Sequence, residues 1–487
     1  MMNKLTAANT YIQKHKETVR NRPMFHFTPE IGWMNDPNGF SFYQGEYHLF
    51  YQYNPYDIVW NDMHWGHATT NDFVNWHHKP VALANDKLYD ANGCFSGSAI
   101  EKDGKLFLMY TGHLDPNMGF DKDESQIIEH QCLAFSEDGI QFEKYQKNPI
   151  IGEKELPEGY MMCDFRDPKV LEVDGVYFCV LAVRNAERRG EIIMFQSLNL
   201  FDWTFHSSIY QSKFDENMML ECPDLFRIDG KDVLIFSIMP CDPKFQGEVI
   251  HKTAYVIGEM DYEKGSFELE HQGLLDYGHN FYAPQSTEGK NGERIIIGWM
   301  QRWNQAAPPR DYGFNGMMSL PRVLTLKDNK LIQRPIREID SYFGHRAIHK
   351  NATLKMNETI DFHGGKAAYL RVNASILEKQ KFQLELNKSE DKATRIHVDV
   401  ENAVVSFASD YGESSQIDIS ECCNALQEEV ALEVFIDLHA IEVFINSGEK
   451  ALSFTAYDQG KGTDISIRGL SQTTLKEIVY ATFRPEE

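Results

Sequence analysis

The chain has 487 residues, 42% of them hydrophobic and 25% charged, with a formal net charge of -24. That length exceeds what one hydrophobic core organises, so more than one domain is expected. The acidic surface repels a phosphate backbone and an anionic lipid face, which argues against nucleic acid and membranes as partners.

The first 22 residues hold no apolar run of signal-peptide length, because Asn3, Lys4, Gln13, Lys14, Lys16, Glu17 and Arg20 interrupt it. Leu5, Ala8 and Ile12 share one helical face and Pro23 stops the segment. The expectation is an N-terminal helix within residues 1–22, packed on the body. No stretch approaches the roughly 20 apolar residues that span a bilayer.

From residue 23 a pattern recurs five times: a β-forming run, a turn carrying Gly, and a second β-forming run. The turns are Gln44-Gly45, Asp103-Gly104, Asp174-Gly175, Asp229-Gly230 and Asn291-Gly292. Asp-Gly and Asn-Gly between apolar β-formers are strong hairpin signals. The glycines stand 59, 71, 55 and 62 residues apart, room for four strands per unit. A second marker closes the first four units on Trp76, Phe142, Trp203 and Phe267, at intervals of 66, 61 and 64. All-strand repeats of this size predict a five-bladed β-propeller over residues 23–335; a Greek-key sandwich would not produce the period. Residues 336–344 are expected to form a linker. From 345 to 487 the period is lost but sheet alternation continues, as in Ile441, Val443 and Ile445 against Glu442, Phe444 and Asn446. A separate β-sandwich is expected there, giving an all-β protein overall.

The eight cysteines show no C-x-x-C spacing, and most lie in apolar strand-like runs. Buried free thiols in a reducing compartment follow, and with them a cytoplasmic location.

Counting back eight or nine residues from each turn glycine reaches Asp36, Ser96, Asp167, Glu221 and Ala283, the last beside Tyr282. Equivalent positions on propeller blades share a height and face the axis, so three acids from three blades should converge at the mouth of the channel. Such a set suits glycoside hydrolysis: one ionised carboxylate attacks the anomeric carbon and a second protonates the leaving oxygen. Asp36 and Glu221 should crowd each other, which helps keep one protonated near neutral pH. The third acid can hydrogen-bond a sugar hydroxyl. The competing view makes Asp36, Asp167 and Asp224 simple turn residues beside prolines, but three acids aligned by repeat phase speak against it.

The motifs Trp33-Met34-Asn35-Asp36-Pro37-Asn38-Gly39, Phe95-Ser96-Gly97-Ser98, Phe165-Arg166-Asp167-Pro168-Lys169 and Glu221-Cys222-Pro223-Asp224 together resemble glycoside hydrolase family 32. The resemblance extends over nearly the whole chain. It implies a retaining β-fructofuranosidase with Asp36 as nucleophile, Asp167 as transition-state stabiliser and Glu221 as acid/base. It also makes Asn35, Gln52, Trp60, Phe95, Ser96 and Arg166 the fructose-binding shell, with Tyr282 and Trp299 as its far wall. Two segments depart from the family pattern: Trp60-Asn61-Asp62-Met63 at a rim loop, and Arg184 through Arg189, where leaving-group contacts are expected.

The implied substrates are sucrose 6-phosphate, sucrose and short fructo-oligosaccharides. Arg184, Arg188 and Arg189 are candidates for a phosphate, unless they pair with Glu187 and Glu191. A fructosyltransferase, or a sugar-binding propeller without activity, are the rival readings, and a homodimer through the second domain is a possibility the sequence leaves open. No cofactor is expected. His64 and His67 lack a third ligand at metal-like spacing, so no metal is expected either. Ser96-Gly97-Ser98 lacks the glycines of a nucleophile elbow.

Overall fold

The computed structural model describes residues 3–117, 123–212, 218–240, 251–363, 367–376, 379–389, 392–410, 414–418, 429–455, 457 and 462–484. Cys241, Cys422 and Cys423 lie outside them. The other five cysteines are buried and free.

The N-terminal helix runs Lys4–His15, capped by the Asn3 side chain, which accepts from the Thr6 amide at 2.7 Å. It buries Ala8 and Ile12. It also fixes the edge of the first blade, since Asn9 Oδ1 accepts from the Val81 amide at 2.9 Å. The helix stops earlier than Pro23 requires. After one 3-10 turn at Lys16–Thr18 the chain extends, and the Arg20 amide bonds to the Tyr312 carbonyl at 3.0 Å, a tertiary contact that outweighs further helix.

Five antiparallel sheets follow in sequence order. The first strands of the five are Gly32–Tyr43, Gly93–Lys102, Tyr160–Val173, Met218–Ile228 and Tyr282–Glu288. Each touches the next and the fifth touches the first, closing a ring around an axis. The first sheet gains a short parallel strand, Phe314–Asn315, from the fifth unit. Four hairpin turns have both central residues in the left-handed region: Gln44-Gly45, Asp103-Gly104, Asp174-Gly175 and Asp229-Gly230. Their sequences suit that twist, since Gly carries no Cβ penalty there and Asp tolerates it. The fifth differs. Its strands are joined by residues 289–293, where Gly289 and Glu293 bond to each other, because Asn291 does not adopt the left-handed conformation. The second marker is an Asx turn between third and fourth strands: Asp72, Asp138 and Asn199 each accept from two following amides.

The expected linker is no loose tether. It forms a 3-10 turn over Glu338–Tyr342 with Ile336 and Ile339 fully buried. Two six-stranded sheets then face each other over a core that includes Leu370, Leu384, Val434 and Ile467. The strand Ala440–Ile445 is buried on both faces. Ile441, Val443 and Ile445 point into the sandwich core, whereas Phe444 joins a cluster with Phe25, Phe343 and Ile297. The face that reads as polar is thus the one pressed on the propeller.

Candidate active site

At one level of the ring every first strand carries a β-bulge. Register shifts fall at Asn35-Asp36, at Ser96, at Asp167-Pro168, at Cys222-Pro223 and at Ala283-Pro284. Asp167, Cys222 and Ala283 hold positive φ of 63, 50 and 48°. A proline gives up no ladder bond at a bulge, and a bulge re-aims its side chains, which explains why acids beside prolines sit here.

The bulges are stitched blade to blade. Ser96 Oγ donates to Asp36 Oδ2 at 2.8 Å, and the Asp167 amide to Thr111 Oγ1 at 3.0 Å. The Cys222 amide donates to Asp167 Oδ2 at 2.9 Å, and the Ala283 amide to Ser237 Oγ at 2.9 Å. Deeper in the channel Lys169 pairs with Asp224 at 3.0 Å, so Asp224 belongs to the plug below the pocket rather than to its wall.

Above the ring opens a cavity of about 320 Å³, lined by Asp36, Asp167 and Glu221 together. Of the eight residues expected around them, Asn35, Gln52, Trp60, Phe95, Ser96 and Arg166 line it. Asn35 is oriented by Trp33 Nε1 at 2.7 Å, and Gln52 by the Cys94 carbonyl at 2.9 Å. Trp60 stands at the rim, 40% exposed, edge-on to Phe95. Tyr282 is buried behind Glu221 and donates its hydroxyl to Oε2 at 2.6 Å. Trp299 is fully buried against Trp33 and Trp303, and Trp303 is the ring that faces the cavity.

Arg166 is the electrostatic centre. It contacts Asp164 at 2.6 Å, Glu221 at 2.8 Å, Glu129 at 3.1 Å and Asp167 at 3.9 Å. Arg166 and, on Asp164, Arg184 are two cations against these four carboxylates and Asp36, so the floor keeps surplus negative charge. Burial first, then the charge of Glu221, pushes Asp36 up to about 6. Burial pushes Asp167 up to about 8, with Glu221 and Asp36 adding to it and Arg166 opposing. The expected crowding is thus felt by Asp36 and Asp167, and the retained proton belongs to the cluster rather than to one member. Asp36 Oδ1 is buried with no geometric hydrogen bond among the described residues, while Cys222 Sγ lies 3.5 Å from Oδ2.

Sequence reasoning passed over Glu129, Asp164, His113 and Trp303. Glu129 sits on a third strand, where repeat phase gives no signal, yet it fixes both Arg166 and His113, the latter at 3.1 Å. His113 in turn stacks on Phe95 with ring centres 3.9 Å apart. Asp164 lay in view, two residues before Arg166. The arginine cluster does not pair with Glu187 or Glu191 through any described ion pair: Arg184 is buried on Asp164 and Glu124, and Arg188 also meets Glu124. Of the three, only Arg184 reaches the cavity. His67 pairs with His48 at 3.1 Å, and His64 bonds the Asp62 carbonyl at 2.5 Å. Among the described residues no three metal-ligating groups gather. Nor is any helix there long and apolar enough to cross a membrane.

The chain matches the glycosyl hydrolases family 32 N-terminal domain over residues 26–335 and the family 32 C-terminal domain over 338–482. It belongs to glycosyl hydrolase family 32. As a family 32 protein it is a glycoside hydrolase. The raffinose invertase of Escherichia coli is 35% identical over 478 residues, 96% of each chain. The sucrose-6-phosphate hydrolase of Bacillus subtilis is 35% identical over 464 residues, 90% of each. Among solved structures, the Bombyx mori family 32 beta-fructofuranosidase superposes with a TM-score of 0.85 at 32% identity, covering 99% of this chain and 98% of that one. The five-bladed propeller and β-sandwich are therefore the family 32 architecture.

Proposed function

We propose that this family 32 hydrolase is a retaining β-fructofuranosidase acting on sucrose-type substrates, sucrose and sucrose 6-phosphate first among them. The observation that carries the mechanism is the meeting of Asp36, Asp167 and Glu221 in one cavity whose floor has surplus negative charge. Asp36 is the nucleophile: Ser96 holds Oδ2 and so orients the carboxylate that attacks the anomeric C2 of fructose. As the C2–O bond to the leaving sugar breaks, Glu221 delivers the cluster's proton to that oxygen. Water then attacks C2, Glu221 takes back a proton, and the bond to Asp36 breaks. The ring passes through a cationic transition state twice, and the surplus negative charge around Arg166 favours it electrostatically; Asp167, held by the Cys222 amide, is the stabiliser. Glu221 directly precedes Cys222, whose thiol touches Asp36. That adjacency favours the short carboxyl separation, about 5–5.5 Å, that retention needs.

Residues 23–335 are the catalytic propeller in this reading and 345–487 its sandwich. Five buried free thiols favour a reducing, cytoplasmic setting. The test is product analysis on sucrose with the parent, Asp36→Asn and Glu221→Gln. Free fructose and glucose in equal amounts are expected from the parent. A loss of about 10³-fold or more in kcat is expected for either variant, with circular dichroism unchanged. Lengthened oligosaccharides as the main product would instead favour a fructosyltransferase, and near-parent turnover by either variant would remove the assignment.

A further inference from the structure

Beyond the catalytic carboxylates, the cavity wall contains an anion clamp that is already filled. Arg184 Nη2 lies 2.9 Å from Glu124 Oε1. Arg188 closes the other side, with Nη1 at 3.1 Å from Oε2 and Nη2 at 3.2 Å from Oε1. This is the fork geometry by which guanidinium groups hold a carboxylate or a phosphate. Glu124 comes from the second blade and both arginines from the third, so the contact spans two blades at the wall of the pocket. Arg188, then Arg184, holds the Glu124 carboxyl below its usual range, so the clamp is occupied by a full negative charge at neutral pH. The rest of the described lining adds Asp62, Asp115, Glu129 and Asp164 to the catalytic acids, against Arg166 and Arg184.

We propose that Glu124 is a specificity-determining residue: its carboxylate occupies the place of a sugar phosphate between Arg184 and Arg188, so the enzyme favours the uncharged glucoside. Resting on the β-fructofuranosidase reading, this decides between its two leading substrates. A phosphate on the leaving glucose must expel Glu124 into a wall already rich in carboxylates, and the like-charge cost falls on the phosphorylated substrate alone. Glu124→Gln keeps the shape and hydrogen-bonding reach of the side chain but removes its negative charge from between the two arginines, while Arg184 stays paired with Asp164.

The experiment compares kcat/KM for sucrose 6-phosphate and for sucrose in the parent, E124Q and E124Q/R188A. The parent should favour sucrose. The phosphate-to-sucrose ratio should rise at least about tenfold in E124Q, equivalent to about 1.4 kcal/mol, and fall back in E124Q/R188A. If Glu124 merely pins its segment, both constants fall together and an unchanged ratio overturns the proposal. A gain that survives Arg188→Ala overturns it as well, because the phosphate is then held elsewhere. Calorimetric binding of glucose 6-phosphate against glucose reads the clamp without catalysis, and E124Q should tighten only the former by a similar factor. If no variant releases fructose from either sugar, the functional reading fails, while equal tightening of both ligands fails the clamp.

Discussion

At Asp36 two effects push the same way: burial strips water from the carboxylate, and Glu221 adds like charge. A nucleophile must be ionised, so activity is lost as protons return to it. The free enzyme's kcat/KM is therefore expected to fall as pH drops through about 6, with a slope of one proton. A profile that stays flat down into the ordinary carboxylate range would separate Asp36 from the chemistry. Arg166 explains why the acids do not simply all protonate. Its guanidinium reaches two catalytic carboxylates and two further acids, which keeps the cluster partly charged and oriented. The same residue scale shows where Trp299 stands: a ring with no exposed surface shapes the wall through Trp33 and Trp303 rather than by touching sugar.

At the scale of elements, the bulge is the unit that builds the site. Gly97 serves the second blade where the other four have proline, and a Cβ there would lie 2.0 Å from the Met109 carbonyl oxygen. Gly97→Ala is thus expected to cost about 1–3 kcal/mol in chemical unfolding and to lower kcat through its neighbour Ser96, which holds Asp36. Stability and activity equal to the parent would show that the bulge is not needed. Much of this was legible beforehand, because hairpin turns have local chemistry: a turn glycine marks each hairpin, and eight or nine residues back from three of the five lies an acid. The bulges themselves were not legible, and the prolines read equally well as turn residues. Glu129 and Trp303 were hidden for a different reason. They reach the pocket from a third strand and from the connection between the second and third strands of the fifth blade, and no repeat phase connects them to it.

At the scale of the molecule, propeller and sandwich are held together by buried charge as well as by apolar contact. His26 bonds Asp437 and Glu442, each at 3.0 Å, and Arg322 bridges Glu442 at 2.6 Å and Asp276 at 2.9 Å. Burial opposes a charged His26, but its two carboxylate partners win and raise it to about 9. A raised folded value means the stabilisation is complete below the ordinary histidine value of 6.5 and is lost as pH rises through about 9. The melting temperature should therefore decline over that alkaline window, and His26→Gln should flatten the decline while lowering stability at pH 6. A decline as steep in the variant as in the parent would place the alkaline sensitivity elsewhere. The sequence alternation around Glu442 correctly signalled a strand, yet its polar face meets the propeller instead of water, a choice made by the partner domain.

The most direct test of the account is where the fructosyl group goes. Glu221→Gln, given β-fructofuranosyl fluoride so that no leaving-group proton is needed, should accumulate a covalent adduct because the base that activates water is missing. Rapid acid quench, proteolysis and mass spectrometry should place one fructosyl residue on the peptide at Asp36. An adduct on Asp167, or turnover of the fluoride to α-fructofuranose with no adduct at any time point, would contradict it.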